Sequence, residues 1–512
     1  MFDTVTISWR QCEIIALLVL ALLWSSAAFS YSATDAEVTR QPLVAALHVH
    51  STMSTGSWTL EEVVRQAEAL SLDAVVLTEN FALRYEYGLF PLRGAFRVHT
   101  QFPSVIEYGI KDFLQEVEEV QTRHPKMVLV PGVEVAPYYH WTGSLWKDNL
   151  TMHDAQKNLL VFGLVDVDDY TALPVLGNTN SYEYGLQSAV NCSPVFLFIP
   201  AIWLWRRNQH QRQGLATPSS IQWPKIFAVT LTGIALSLLF NAWPLSQPRF
   251  TPYRDDSAND PYQALIDTVA QQHGASIWSL TEARDFSQHP VNPLGTVTIK
   301  TDPHPEMLLQ TKNYTGFGGV YQDTRTVTDP GGIWDQTLQQ YLTGERDQPP
   351  FTYGEIAFHT QGQAGIELDQ VLTVFWVQER TTAGVIEALR SGHAYAVGQY
   401  QNTFGLRLKT FHVNCGAETP WVASGETLVS SRNCEPTVHV SVAATDHQAH
   451  PVLVRIIRSG SVVAREEGTT PMEFRFTDTQ APREQPMYYR MDIQESGEVM
   501  SNPIFVTALS GA

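Results

Sequence analysis

Charged residues are scarce in this 512-residue chain, and basic residues are scarcer than acidic ones. Asp, Glu, Lys and Arg make up 17 % of the sequence, whereas about 25 % is usual in soluble domains. The 33 Lys and Arg residues are outnumbered by 52 Asp and Glu residues, which gives a net charge of -19 at pH 7. Because nucleic-acid binding depends on a basic surface, this composition argues against nucleic acid as a partner.

Cysteine is also scarce, with four residues in the whole chain. Cys12 and Cys192 lie in or beside strongly apolar segments, and Cys415 and Cys434 lie in the tail. The topology derived below places that tail outside the cytoplasm, where an oxidising environment would permit a Cys415–Cys434 disulfide. A metal-binding pair is less favoured, because no other thiol or tight histidine cluster lies near these two residues in the sequence.

Three long apolar segments and 13 Trp residues indicate a membrane as a partner. The first segment, 14–29, follows Arg10 and precedes a run of small residues. This pattern is typical of a secretory signal peptide or an uncleaved N-terminal anchor, which we place at 1–33, and a buried helix is the alternative. Either kind of export signal would carry the following domain across the membrane.

The other two apolar segments, 190–205 and 226–243, lie mid-chain and predict a transmembrane hairpin over 186–246. Each is within reach of the ~20 residues that a spanning helix needs once its flanks are counted. The loop 206–225 between them is basic, so the positive-inside rule makes it cytoplasmic and places both flanks on the periplasmic or extracellular side. A hairpin buried in a protein core is the alternative interpretation.

Two histidines end an apolar run that predicts a strand over 43–50. His48 and His50 are two residues apart, so both imidazoles would face the same side of that strand. A helix with Thr59 as its cap follows, and a second apolar run then ends in Thr78-Glu79-Asn80. Histidine is the commonest metal ligand, and sites in α/β folds lie at the carboxyl ends of strands. The motif thus indicates a metal site; a strand carrying two surface histidines is the alternative.

His48-x-His50-Ser51 and the later Thr78-Glu79-Asn80 resemble the opening of the PHP (polymerase and histidinol phosphatase) superfamily of metal-dependent phosphoesterases, in its secreted metallohydrolase-like branch. Pro131-Gly132-Val133-Glu134 resembles the element in which that family carries a metal-bridging glutamate, and Ala357-Phe358-His359 resembles its closing Asp-x-His. The resemblance implies a distorted (β/α) barrel with two or three metal ions. Its implied ligands here are His48, His50, Glu134 and His359.

The chain departs from the family pattern at several implied ligand positions. Histidine is replaced by Asn80, Asn158 and Leu280, aspartate is replaced by Ala357, and Thr55-Gly56 stands where the family has an acidic residue. Glu79 and His153 are second-choice ligands. The remaining set could hold one divalent ion, such as zinc, manganese or iron, but is too small for two or three.

These observations predict an outward-facing, membrane-anchored protein with a degenerate metal site that serves as a binding or scaffold module. The alternative is a hydrolase of phosphoesters or related esters that depends on one metal. No catalytic residue is assigned beyond the candidate ligands.

The predicted fold class is α/β: a distorted PHP-type (β/α) barrel with an inserted transmembrane helical hairpin, followed by a C-terminal β-sandwich. The sandwich is predicted because short runs alternate apolar and polar residues from about residue 404 onwards, with turn signals between them. The predicted segments are the signal or anchor 1–33, the first barrel part 43–185, the hairpin 186–246, the second barrel part 247–400 and the sandwich 404–512.

Overall fold

The structure is a computed structural model that describes residues 40–211, 223–254, 259–291, 295–322, 325–363, 366–399, 404–416, 419–430, 434–483 and 485–508. The predicted signal or anchor and most of the predicted cytoplasmic loop fall outside the described residues. Gln41–Ala512 forms one compact unit, in which strands and helices are mixed. The predicted α/β character is therefore observed.

The strands before residue 400 are short and mostly buried. They are β1 (Gln41–Val49), β2 (Ala74–Leu77), β3 (Glu79–Asn80), β4 (Arg84–Gly88), β5 (Arg97–Gln101), β6 (Val128–Val130), β7 (Gly132–Val135), β8 (His140–Thr142), β9 (Leu150–His153), β10 (Leu159–Phe162), β11 (Ala275–Trp278), β12 (Asp285–Val291), β13 (Gly295–Thr301), β14 (Gly316–Val320), β15 (Phe351–Gly354), β16 (Val371–Val377) and β17 (Ala394–Gly398).

The helices pack one apolar face against these strands or connect them. They are α1 (Leu60–Ala69), α2 (Val105–Tyr108), α3 (Ile110–Arg123), α4 (Val167–Thr171), α5 (Leu186–Cys192), α6 (Phe198–Gln211), α7 (Trp223–Asn241), α8 (Asp260–Gln271), α9 (Met307–Gln310), α10 (Ile333–Leu342) and α11 (Thr382–Ser391), with short 3-10 helices at Leu145–Lys147, Thr179–Ser181 and Ser193–Leu197.

Local sequence signals explain where several of these elements begin and end. The capping box predicted at the start of α1 is present: Thr59 accepts from the backbone N–H of Glu62, and the Glu62 side chain accepts from the backbone N–H of Thr59. Helix α11 ends at Gly392, whose φ of 72° lies in the left-handed region that favours glycine. The apolar run 127–135 is long enough for one strand but is divided at Pro131 into β6 and β7, because proline has no N–H to contribute to a strand ladder.

Two sheets bring their strand ends to one edge. One contains the order β17-β16-β1-β2-β6, and the other has the order β15-β14-β11-β10-β7-β3. Backbone hydrogen bonds join them beside β1: Ile356 N–H donates to Leu47 O (2.9 Å), and His50 N–H donates to Phe358 O (2.9 Å). Strand β10 runs antiparallel to β7 and β11, so the residue that precedes β10 lies at the same edge as the residues that follow β1, β11 and β15.

The C-terminal residues form further strands. They are β18 (Leu406–Asn414), β19 (Val422–Ala423), β20 (Thr427–Ser430), β21 (Thr437–Ala444), β22 (Pro451–Arg458), β23 (Ser461–Thr469), β24 (Met472–Thr477), β25 (Met487–Glu495), β26 (Glu498–Ser501) and β27 (Ile504–Ala508). These strands pair antiparallel except for the parallel pair β20–β27.

These C-terminal strands belong to two sheets. One has the order β19-β18-β21-β24, and the others join the β1 sheet through the β17–β26 pairing, which makes it eleven-stranded. The sulfurs of Cys415 and Cys434 are bonded, with their Cα atoms 5.3 Å apart. The β17–β26 pairing joins the first 400 residues to the C-terminal strands by backbone hydrogen bonds.

The inserted segment forms two long apolar helical stretches with little burial. Leu186–Arg207 spans 22 residues and Trp223–Asn241 spans 19, and each is 11 % buried. This low burial in the described residues disfavours the alternative of a hairpin buried in the protein core. At the base of the insertion, Glu183 and Gln247 form an antiparallel bridge.

A buried ion pair joins α10 to β25. The Arg490 guanidinium is fully buried and donates from Nε and Nη2 to the Asp335 carboxylate at 2.8 and 2.7 Å. The Tyr488 hydroxyl donates to the same carboxylate at 2.6 Å. The guanidinium and the carboxylate neutralise each other, so removing either would leave an uncompensated charge in the interior.

We predict that Asp335→Ala lowers the free energy of unfolding by about 3–5 kcal/mol, as expected when a buried pair is broken. Asp302→Ala is the control, because Asp302 pairs with Lys300 at 2.6 Å but is half exposed, and exposed pairs contribute about 0–1 kcal/mol. Urea unfolding of the full chain measures both. Equal losses in the two variants would contradict a structural role for the buried pair.

Candidate metal centre

His48 and His50 lie at the end of β1, and their ring nitrogens face each other. Both side chains are buried, and the two Nε2 atoms are 3.1 Å apart. The β1–β2 register shifts between Leu47 and Val49, and His48 has a φ of 77°. The irregularity falls on His48, so the two rings do not project as a regular strand would place them.

Glu134, at the end of β7, is the third member of the cluster. Its Oε1 lies 3.3 Å from His48 Nε2, and its Oε2 lies 3.6 Å from His50 Nε2. The ligand atoms of these three residues lie within 4.8 Å of one another. Within the described part of the chain, this is the group of His, Cys, Asp and Glu side chains that converges closely enough to hold a metal ion.

Asn80 and Asn158 hold the Glu134 carboxylate in place. Asn80 Nδ2 donates to Oε2 and Asn158 Nδ2 donates to Oε1, each at 2.6 Å. The Asn80 carbonyl oxygen in turn accepts from the Thr55 hydroxyl at 2.6 Å. These are two of the positions where the PHP resemblance implies histidine. The amide groups direct N–H donors at the carboxylate, so they orient a candidate ligand and do not add to the ligand set.

Glu355 is a site residue that the motif comparison did not assign. It follows β15, is fully buried, and lies 2.5 Å from His48 Nδ1 through its Oε1. Its Oε1 also accepts from the Ser279 hydroxyl, and its Oε2 accepts from Leu280 N–H at 3.4 Å. Metal-binding histidines usually donate their second ring N–H to a carboxylate or carbonyl. The available signal in the sequence was an acidic residue closing an apolar strand four positions before His359.

Charge interactions in this cluster favour a protonated His48 beside an ionised Glu134. Burial acts to lower the pKa of His48, but Glu134 and Glu355 outweigh it and raise that pKa to about 10. Burial acts to raise the pKa of Glu134, but the imidazoles of His48, His50 and His359 bring it down to about 2. The pKa of His50 falls well below its usual value through burial and the neighbouring His359. Without a cation, the cluster is therefore an ion pair beside a neutral imidazole.

His359 contacts the cluster through its ring and not as a member of the converging group. The ring stacks on His50 with centroids 4.0 Å apart and planes 7° apart. Its Nδ1 lies 2.9 Å from the Thr55 hydroxyl. The group of ligand atoms that converge within 4.8 Å does not include His359.

The two second-choice ligands lie outside the converging group. Glu79 is buried, and its carboxylate accepts from Ser51 N–H at 2.8 Å and from the Ser54 hydroxyl. His153, in β9, stacks on His140 with centroids 4.7 Å apart. Glu79 therefore braces the turn after β1, and His153 belongs to a separate ring pair.

The two non-ligating replacements, Leu280 and Ala357, line a cavity of about 310 Å³ above the cluster. Both have positive φ values, 44° and 50°, which non-glycine residues rarely adopt and which often accompany functional sites. The cavity is also lined by Arg284 and Thr55. A larger cavity of about 1030 Å³ exists elsewhere, but no member of the cluster lines it.

The donor set fits one divalent cation. Two imidazole nitrogens and a carboxylate converge, which is the number of protein ligands in catalytic zinc sites. Glu355 occupies Nδ1 of His48, which leaves Nε2 for a metal. A second cation would need further ligands at positions held here by Asn80, Asn158, Leu280 and Ala357.

Comparison with known proteins adds little to this geometry. No protein-family model matches the chain, and no curated protein matches it. Among solved structures, a two-domain protein from Bacteroides vulgatus that contains a predicted PHP-like metal-dependent phosphoesterase aligns over 88 % of this chain and 90 % of its own, at 10 % identity and a TM-score of 0.35. A candidate metal-dependent phosphoesterase from Bifidobacterium adolescentis aligns over 63 % and 89 %, at 10 % identity and a TM-score of 0.27. TM-scores this low do not establish a shared fold.

Glu79 makes the stability of the chain depend on pH. Burial raises its pKa to about 7 from 4.5, although hydrogen bonds from Ser51 and Ser54 act in the opposite direction. Because the folded-state pKa is the higher one, the stability contributed by neutral Glu79 is present below about pH 4.5 and is lost as the pH rises through 7.

We predict that Glu79→Gln, which mimics the neutral acid, is more stable than the parent chain at pH 8 by up to roughly 3 kcal/mol and similar to it at pH 5. Urea unfolding at the two pH values measures the difference, and the exposed Glu118→Gln variant is the control. A parent chain and Glu79→Gln variant with the same pH dependence would contradict the raised pKa.

Proposed function

We propose that this chain is a mononuclear metal-dependent hydrolase of phosphoesters or related esters. The observation that carries the proposal is the convergence of His48, His50 and Glu134 on one point, with Glu355 on the far nitrogen of His48. The sequence alone favours a binding or scaffold module. The geometry favours the hydrolase, because a carboxylate that orients one histidine is a feature of working metal sites.

The roles of the residues follow from their contacts. His48, His50 and Glu134 would hold the cation, and Glu355 keeps the Nδ1 proton of His48 in place. A bound divalent cation would polarise the ester and lower the pKa of a coordinated water. Arg284 lies on the cavity wall, where its guanidinium could bind the negatively charged oxygens of a phosphoester. The motif resemblance to the PHP superfamily supports phosphoesters as the substrate class.

A second candidate function is a binding module without catalysis. It is supported by the Asn80 and Asn158 amides, which already satisfy both oxygens of Glu134. In that case the site would be complete without a metal. The two functions differ in metal content and turnover, and both can be measured on the same preparation.

We predict about one divalent metal per chain and metal-dependent hydrolysis of aryl phosphate mono- or diesters by the detergent-solubilised protein. His48→Ala should abolish both, because it removes a ligand. Glu355→Gln should bind metal about 10–100-fold more weakly, as expected when the partner of a metal-binding histidine is changed. Calorimetric titration with Zn²⁺ and Mn²⁺ measures affinity, and Glu379→Gln, an exposed change, is the matched control.

The outcomes separate the two functions. Metal binding with no turnover of phosphoesters or carboxyl esters would remove the hydrolase and leave the binding module. No bound metal above background at neutral pH would remove the metal site itself.

We further propose that the chain is anchored in a membrane through the helices at 186–241. The metal centre and the C-terminal strands would lie on the outer side. We also keep the proposal that the part with the metal centre is a distorted barrel and that the C-terminal strands form a β-sandwich. Two helical stretches of sufficient length and apolar composition support this proposal. The basic residues Arg206 and Arg207 at the far end of the first stretch support the orientation. The backbone contacts between β1 and residues 356–358 support a closed barrel.

A cysteine introduced at Val429, exposed in β20, should react with a membrane-impermeant maleimide in intact cells, in a background of Cys12→Ala and Cys192→Ala. One introduced at Arg206 should react only after the membrane is permeabilised. The reverse pattern would overturn the proposed orientation.

A further inference from the structure

The loop between β4 and β5, residues 89–96, exposes large aromatic side chains. Phe90 is 81 % exposed and Phe96 is 61 % exposed. Isolated exposed aromatics are ordinary, but a cluster of them marks an interaction surface. The position of the loop in the fold indicates what that surface would contact.

This loop is hydrogen-bonded to the end of an apolar helix. The side-chain oxygen of Asn241, the last residue of α7, accepts from Gly94 N–H at 2.8 Å and from Ala95 N–H at 3.1 Å. The loop therefore lies where α7, one of the two membrane-length helices, meets the rest of the chain.

Further exposed aromatics flank the same junction. Phe240 and Trp243 adjoin Asn241, and Tyr184 precedes α5 next to the Glu183–Gln247 bridge. We name Phe90, Phe96, Tyr184, Phe240 and Trp243 the aromatic collar. Aromatic side chains concentrate at the level of lipid headgroups at the ends of membrane-spanning helices.

The loop is held by the body of the protein and not by the helices alone. Gly88 N–H donates to the Tyr253 hydroxyl at 2.7 Å, and the Arg93 guanidinium lies 3.8 Å from the centre of the Tyr253 ring. Trp141 Nε1 donates to Glu86 O at 2.8 Å. Strand β4 and its loop thus present Phe90 and Phe96 from a braced position.

We propose that the aromatic collar docks into the headgroup layer of the lipid bilayer and seats the metal centre over the membrane surface. The proposal rests on the proposed insertion of the two helices. Its occupant is lipid, because the collar is continuous with helices whose composition matches the bilayer core. Arg97, directly after Phe96, pairs with Glu86 at 3.5 Å, so the assignment to lipid rests on the aromatic side chains and on the two helices.

The aromatic collar is also close in sequence to a residue that lines the cavity. Leu83, which lines the cavity, immediately precedes β4. A strand of five residues spans about 17 Å. One short strand, β4, therefore connects the cavity to the aromatic collar. This placement would favour substrates whose phosphoester group lies at the membrane surface.

The test uses nitroxide labels on the full chain in phosphatidylcholine–phosphatidylglycerol vesicles, in the Cys12→Ala, Cys192→Ala background. Single labels are placed by Phe90→Cys and Phe96→Cys in the collar, by Val229→Cys on the exposed face of α7, and by Val429→Cys on the C-terminal strands as the matched control. Power saturation measures collision of each label with oxygen, which concentrates in lipid, and with a water-soluble nickel chelate.

The expected result is a lipid-like ratio at 229, an aqueous ratio at 429, and intermediate ratios at 90 and 96. Aqueous ratios at 90 and 96 with a lipid-like ratio at 229 would overturn the collar and leave the membrane helices in place. An aqueous ratio at 229 would overturn both. Labels at 90 and 96 that collide with neither oxygen nor the nickel chelate would overturn the lipid assignment in favour of a protein contact, because a label in the headgroup layer remains accessible to oxygen.

Discussion

The site depends on keeping one carboxylate charged in the interior. An isolated buried carboxylate costs several kcal/mol of solvation free energy unless it is paired and hydrogen-bonded. Glu134 meets this requirement through Asn80 and Asn158 on its two oxygens and through the nearby Nε2 atoms of His48 and His50. These contacts come from three strand ends, those of β1, β3 and β10, so the charge of Glu134 ties the three together.

The amides of Asn80 and Asn158, at positions where the motif resemblance implies histidine, therefore have a physical role at Glu134. An imidazole at position 80 or 158 could bind a cation, whereas an amide N–H cannot. Both amides instead donate to Glu134, which makes the remaining three-ligand group rigid before any cation arrives. Such a site has fewer metal ligands, but the position of its one candidate metal ion is fixed in advance.

Much of the framework could be predicted from the sequence. The strand ending in His48 and His50, the capped helix α1 and the strand carrying Glu134 follow from periodicity and local capping. The site was less predictable where long-range contacts decide the outcome. Glu355 reaches His48 across 307 residues, His359 turns its ring onto His50, and the antiparallel direction of β10 brings Asn158 to Glu134. The two asparagines could be recognised as departures from a motif, but their hydrogen bonds could not.

The bridge between Glu183 and Gln247 has a consequence for how the helical insertion relates to the rest of the chain. Their backbones exchange hydrogen bonds at 3.1 and 3.0 Å, so the polypeptide departs and returns at a single point. Within the described residues 184–211 and 223–246, no strand belongs to either of the two main sheets. The helical insertion therefore enters and leaves the rest of the chain at one place, and Asn241 at the end of α7 fastens it at a second place, the loop 89–96.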